Sequence, residues 1–225
     1  MKVPNIIYED NDVIVCYKPS GMATQTRRIG QQDMESFIRN YRAAKNEPPY
    51  VGIVHRLDQP VEGEMVFAKN QKAAASLSRQ IKEHTTEKYY RAASRGQGVS
   101  GAAVEDEEAW HTLTDYISFD KRTNTSKITS EKDRLAKKAV LQYRVISVTP
   151  DRDSSQNECV RTEFDIKLLT GRHHQIRLQL ANIGYPLIGD TKYGGDTARE
   201  QLALCSYKIV FDHPATGERM TFELP

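Results

Sequence analysis

The sequence predicts an α+β fold: a mixed, largely antiparallel β-sheet core with flanking helices. Three observations predict it. Short apolar or alternating runs recur along all 225 residues, but only three stretches carry helical spacing. Strand-like and helix-like segments do not alternate regularly, which argues against a parallel doubly wound sheet. Hydrophobic residues make up 38% and charged residues 28%, the balance of a globular chain able to bury a core.

The elements follow in order. Ile6 to Glu9 and Val13 to Lys18 read as strands around the turn-forming Asp10-Asn11-Asp12. Pro19-Ser20-Gly21 breaks the pattern. Gln31 to Lys45 reads as a polar helix stopped by Pro48-Pro49. Val51 to Val54 and Glu64 to Lys69 are apolar runs, and Pro60 and Gly63 bend HRLDQPVEG between them into a loop. Gln71 to Glu83 carries Ala74, Leu77 and Ile81 at helical spacing, and Glu87 to Ala93 returns to strand. Residues 95–109, rich in Gly and acid, read as a surface loop. Thr112 to Phe119 and Lys138 to Val148 read as strands around a basic, polar segment. Pro150 to Glu158 reads as a loop and Val160 to Leu169 as a strand. TGRHHQIRLQLANIG places Ile176, Leu180 and Ile183 on a helix that Gly184 stops. Leu202 to Phe211 and Met220 to Leu224 close the chain. Strand-like runs bracket both polar loops, so 1–225 is expected to be a single domain.

Composition excludes several classes. Cys16, Cys159 and Cys205 are odd in number and lack Cys-x-x-Cys spacing, against a disulfide framework or zinc site. The N-terminus has no apolar signal region and no window has the length of a membrane span, so a cytoplasmic protein is expected. There is no phosphate loop, no dinucleotide fingerprint and no nucleophile elbow. The six histidines contain no H-E-x-x-H, and His173-His174, about 100° apart on a helix, make a poor chelate. Net charge is +2. Between Phe119 and Lys138, however, seven Lys or Arg face three acids; this is either a solvated loop or a contact to RNA phosphates.

What remains are polar residues where a core would not place them. His55-Arg56-Leu57-Asp58 follows an apolar strand and puts charge at its rim, either as a structural Arg–Asp pair or as a site held on a rigid sheet. Arg177 interrupts an apolar helical stripe. On a continuous helix, His173 and His174 would share its side. Tyr89-Tyr90 lies in a strand, so one of the two must face inwards.

The context of these residues resembles a known family. HRLDQPVEGEMVFAKN is similar to the catalytic-loop motif of the RluA family of pseudouridine synthases, H-R-L-D-x-x-T-S-G. DNDVIVCYKPSGMATQ resembles its opening motif, EKYYRA its K-x-Y-x-A strand, and TGRHHQIRLQLANIGYPLIGDTKYGG its long closing block. The four matches come in the family's order and span nearly the whole chain. The resemblance implies a pseudouridine synthase fold with a central RNA-binding cleft. It implies that Asp58 is the catalytic carboxylate, as nucleophile or as base. It implies that Tyr90 stacks on the target uracil, that Arg177 pairs with the aspartate, and that Arg56 fills the space of the extruded base, with His55 beside it in the motif. Val61-Glu62 stands where the family has Thr-Ser, which removes two hydroxyls and brings a negative charge near Asp58. The first motif begins near residue 5, so the S4-type RNA-binding domain that many members carry is not expected.

The implied reaction breaks the N1–C1′ bond of a uridine, turns the uracil and bonds C5 to C1′. Its bond count balances, so no cofactor or metal is expected. The expected partner is a stem-loop of ribosomal or transfer RNA, met by a monomer. A silent RNA-binding protein of the same fold would lack Asp58, Tyr90 or Arg177, and all three are present. A nucleoside hydrolase would need a second acid, such as Glu62 or Glu64, as proton donor.

Overall fold

The computed structural model describes residues 3–26, 28, 30–96, 109–152, 157–194 and 200–225. The described residues form β1 (Asn5–Glu9), β2 (Val13–Lys18), α1 (Met34–Ala44), β3 (Gly52–Ile53), β4 (Glu62–Ala68), α2 (Gln71–Lys82), β5 (Glu87–Gly96), β6 (His111–Asp120), β7 (Thr125–Thr129), β8 (Lys137–Arg152), β9 (Glu158–Leu168), α3 (Gln175–Asn182), β10 (Leu204–Asp212) and β11 (Arg219–Glu223). The expected α+β class holds, with antiparallel pairing throughout the registered strands. No helix among the described residues is long and apolar enough to cross a membrane.

The chain divides into two compact units. Unit 1 comprises Met1–Lys88 and Ser206–Pro225; unit 2 is Tyr89–Cys205.

In unit 1 the strands run β1-β2-β4-β10, with β3 on β4 and β11 on β10. β2 is buried on both faces, which is why VIVCYK reads as an apolar run rather than an alternating one. Helix α2 starts where Asn70 accepts the Ala73 amide. It lays Ala73 and Leu77 onto Val13, Val15, Val66, Ala68, Ile209 and Phe211. Helix α1 begins three residues later than expected, because Asp33 and Ser36 close a capping box. It ends before the prolines. Asn46 adopts φ 58, and the amides of Asn46 and Glu47 turn back onto Ala43 and Arg42, a Schellman end without glycine.

Unit 2 is an antiparallel sheet of order β5-β9-β8-β6-β7. Leu141, Val145, Phe164 and Ile166 are buried on its strands and Leu180 on α3. Gln179 of α3 donates to Asp115 of β6 at 2.7 Å. Three expectations are corrected here. The basic segment after Phe119 contains a strand, β7, which pairs back on β6 from Tyr116↔Thr129 to Asp120↔Thr125. The strands flanking the expected 150–158 loop run on to Arg152 and start again at Glu158, and 153–156 lie outside the described residues. Helix α3 starts at Gln175, because His174 sits at φ 54 in the left-handed region. His173 and His174 are therefore off the helix, and their rings stack at 3.7 Å instead of lying one turn before Arg177. Of the expected loop at 95–109, residues 97–108 lie outside the described residues; Arg95 and Gly96 belong to β5.

Candidate active site

Asp58 lies half-buried on the loop between β3 and β4, and that loop is pinned by residues 18–24. Lys18 is fully buried. Its ammonium donates to the carbonyls of Pro19 (3.1 Å), Met22 (2.6 Å) and Gln59 (3.2 Å). Burial pulls Lys18 down to about 8, against the pull of the Asp58 and Glu62 carboxylates. Thr24 Oγ1 donates to the Leu57 carbonyl at 2.9 Å and accepts the Leu57 amide at 3.2 Å. Ser20 donates to the Pro60 carbonyl. The Gly21 amide donates to the Gln59 carbonyl, and the Gln59 side chain donates to the Gly21 carbonyl. Both residues flanking Asp58 thus have fixed backbones.

The departure at Val61-Glu62 fits this frame. Val61 is buried and its amide closes a turn on the Asp58 carbonyl at 3.0 Å. Glu62 accepts a 2.6 Å bond from the Tyr17 hydroxyl.

Arg56 is exposed, with Nη2 donating to Gln25 Oε1 at 2.6 Å. His55 faces the other way. Its Nε2 accepts the Val66 amide at 3.1 Å, and burial together with the Lys88 ammonium pushes it down to about 3. It is a neutral acceptor that anchors the loop to β4. Thus His55, Arg56 and Asp58 share one loop of unit 1.

Tyr90 and Arg177 belong to unit 2. Tyr90 is buried on β5 opposite Ile166, and Tyr89 beside it is half-buried, with Lys167 over its ring. Arg177 is buried. Its Nε and Nη2 donate to the two oxygens of Asp190 at 2.8 and 2.6 Å, the fork geometry that suits a buried guanidinium. Burial alone would raise Asp190. Arg177 and the amides of Lys192 and Tyr193 outweigh it and hold the carboxyl below its ordinary range. Asp190 is the site residue missed at the sequence level, although it stands in the GDTKYGG stretch of the closing block; Lys18 and Thr24 were likewise within quoted motifs.

One other acid–histidine cluster needs an account. Asp10, Asp12 and His213 have ligand-type atoms within 4.8 Å of one another. Asp10 already accepts from Tyr8, the Asp12 and Val13 amides and, at 2.8 Å, pairs with His213 Nε2. These residues tie the β1–β2 turn to the turn after β10.

Comparison with known proteins gives a consistent result. A family model described as RNA pseudouridylate synthase matches residues 12–182. Ribosomal large subunit pseudouridine synthase D of Vibrio cholerae is 32% identical, over 98% of this chain and 67% of that protein. An uncharacterized RNA pseudouridine synthase of Bacillus subtilis is 31% identical, over 98% and 68%. Among solved structures, Human RNA Pseudouridylate Synthase Domain Containing 1 superposes with a TM-score of 0.74 at 23% identity, covering 99% of this chain and 83% of that one. Human RNA Pseudouridylate Synthase Domain Containing 4 gives 0.72 at 19%, covering 98% and 88%. These two likenesses bear on the fold.

Proposed function

The chain belongs to the RNA pseudouridylate synthase family, isomerases of uridine in RNA, and we propose that Asp58 is the carboxylate that drives the isomerisation here. The observation that carries this is the clamp on its loop. Lys18, Ser20, Gly21 and Thr24 immobilise the backbone on both sides of Asp58, an arrangement that supports a side chain needing fixed aim.

The reaction starts from a nucleotide outside its stack, an extrusion that costs a few kcal/mol. Arg56, exposed on the same loop, occupies the vacated space. Tyr90 holds the detached uracil by stacking, worth about 1–3 kcal/mol per base. Asp58 acts on the ribose or the base, as nucleophile or by removing a ribose proton. The N1–C1′ bond breaks, the C5–C1′ bond forms, and the proton on C5 is exchanged for one on N1, so the sum is an isomerisation. Arg177, held flat by Asp190, supplies a fixed positive charge for the anions of the reaction. His55 serves by supporting the loop.

The whole chain is proposed to act as one catalytic domain and as a monomer, in the compartment that holds its RNA, the cytoplasm. A relative named for the large ribosomal subunit makes ribosomal RNA the first substrate to test, with transfer RNA the second. Lys121, Arg122, Lys127, Lys132, Arg134, Lys137 and Lys138 are all exposed and are proposed to meet RNA phosphates, so affinity should fall steeply with salt.

The test is Asp58→Asn assayed by tritium release from 5-tritiated RNA. Turnover should vanish with the circular dichroism spectrum unchanged. A variant that still turns over would remove Asp58 from the chemistry.

A further inference from the structure

The turn from Asp190 to Tyr193 does more than grip Arg177. The Tyr193 oxygen lies 2.8 Å from the Ser126 amide nitrogen and 2.9 Å from His174 Nδ1. A backbone N–H only donates, so the phenol oxygen accepts from Ser126. The Ser126 side chain also bonds Tyr193, its own hydroxyl hydrogen going to the His173 carbonyl; with the phenol hydrogen on His174 Nδ1, that nitrogen carries no proton. Were Nδ1 protonated, two N–H groups would face the one phenol oxygen.

His174 is also neutral. Burial first, then the charges of Arg177, His173 and Lys192, push it down to about 3, with Asp190 the group pulling the other way. A neutral imidazole with a bare Nδ1 holds its proton on Nε2. The ring is packed on two sides. His173 stacks on it at 3.7 Å, and the edge-on Tyr193 ring lies 5.6 Å away at 82°. His173 is itself held, its carbonyl accepting from Ser126 Oγ at 2.8 Å and its ring 4.3 Å from Phe119. The left-handed backbone at His174 (φ 54) is what brings the two rings face to face.

We propose that Tyr193 is a positioning residue: the relay from the Ser126 amide through the Tyr193 hydroxyl to His174 Nδ1 fixes His174 as its Nε2–H tautomer, a neutral donor for an anionic oxygen of the reacting centre. This rests on the synthase reading. When the N1–C1′ bond breaks, uracil leaves with the electron pair and its charge spreads over N1, O2 and O4. A neutral N–H beside the buried Arg177 stabilises such a charge without itself losing a proton. A histidine free to choose its tautomer would present a bare nitrogen part of the time.

The first test reads nitrogen chemical shifts of the histidine rings in uniformly labelled, RNA-free protein, with His174 assigned by its loss in His174→Gln. Wild type should show Nδ1 bare and Nε2 protonated. Tyr193→Phe, which keeps the ring, should mix the tautomers and lower kcat by about 10- to 100-fold with KM little changed. A wild-type Nδ1–H tautomer, or a Tyr193→Phe protein with unchanged shifts and rate, overturns the proposal. The second test needs no change at Tyr193. A glutamine amide reaches the position of Nε2 and an asparagine amide that of Nδ1, so His174→Gln should keep at least about 10-fold more activity than His174→Asn. Adding Tyr193→Phe to His174→Gln should cost nothing more; a further loss as large as in wild type would show that Tyr193 acts elsewhere. The shifts are measured without RNA, so they decide the tautomer whether or not the wild-type protein makes pseudouridine.

Discussion

Glu64 should make the protein less stable as pH rises from 5 to 8, and replacing it with glutamine should remove that loss. The side chain is 1% exposed on β4, on the face that carries Val66 and Ala68 into the core. Among the described residues neither carboxyl oxygen has a well-formed hydrogen bond. Burial raises its pKa from an ordinary 4.5 to about 7, with the nearby Ile209 amide opposing and the Glu223 charge adding to the rise. The folded state therefore holds a proton that the unfolded state releases between these values. Stability is unaffected below pH 4.5, falls through the window from 4.5 to 7, and stays low above it. The separation corresponds to about 3 kcal/mol. Glu64→Gln should match the wild type within about 1 kcal/mol at pH 4 and exceed it by about 2–3 kcal/mol at pH 8, roughly 5–10 °C in melting temperature. Urea unfolding of both proteins, followed by circular dichroism from pH 4 to 8.5, gives the difference, in which every other titrating group cancels. A difference that stays flat across that range would mean that the carboxyl ionises normally in the fold, and the argument from burial would fail.

Three further outcomes are expected. Asp190→Asn removes the carboxylate that forks onto the buried Arg177 and should destabilise the fold by about 2–4 kcal/mol, seen as a lower urea midpoint. Gly63→Ala should fail to accumulate as folded protein, because at φ +130 a Cβ there would stand 2.2 Å from the Ser206 carbonyl oxygen; a soluble variant with a normal melting temperature would contradict the close approach. Glu9 accepts from Lys45, Lys69 and Tyr41, each at 2.7 Å. Burial works to raise it, but these partners lower it to about 2. Its contribution is complete above pH 4.5 and lost as pH falls through 2, so Glu9→Gln should destabilise by about 1–2 kcal/mol at pH 7, allowing for the exposure of Lys45, and by nothing at pH 2.

What was legible in the sequence was local. β2 and β4 are apolar runs, α2 carries its spacing, and Gly184 ends α3 at φ 90 as expected of glycine. Elements whose cause lies elsewhere were not. β7 is five residues, TSKIT, too short to show a period, and exists because β6 pairs with it. α1 and α2 end on Asn46 and His84 at positive φ, residues that give a weaker stop signal than glycine. The left-handed turn at His174 broke the helical register assumed for Arg177. The site divides in the same way. His55, Arg56 and Asp58 are contiguous and could be picked out together. Lys18 meets Gln59 41 positions away and Thr24 meets Leu57 33 away, and no periodicity reports such partners. Asp190 stands 13 residues from Arg177 and carried no hint of pairing beyond its place in a specific motif.

The discontinuity of unit 1 has a bearing on how the chain is made. Ser206 Oγ bonds the Glu64 carbonyl across 142 positions, and β10 and β11 are translated after every other strand of the described residues. During synthesis the edge of β4 must wait for them, while unit 2, one uninterrupted stretch, has left the ribosome and is free to fold first. A stop codon before residue 206 would spare most of unit 2 yet strand the unit that carries Asp58 with an open, apolar β edge, a species for chaperones and proteases to clear.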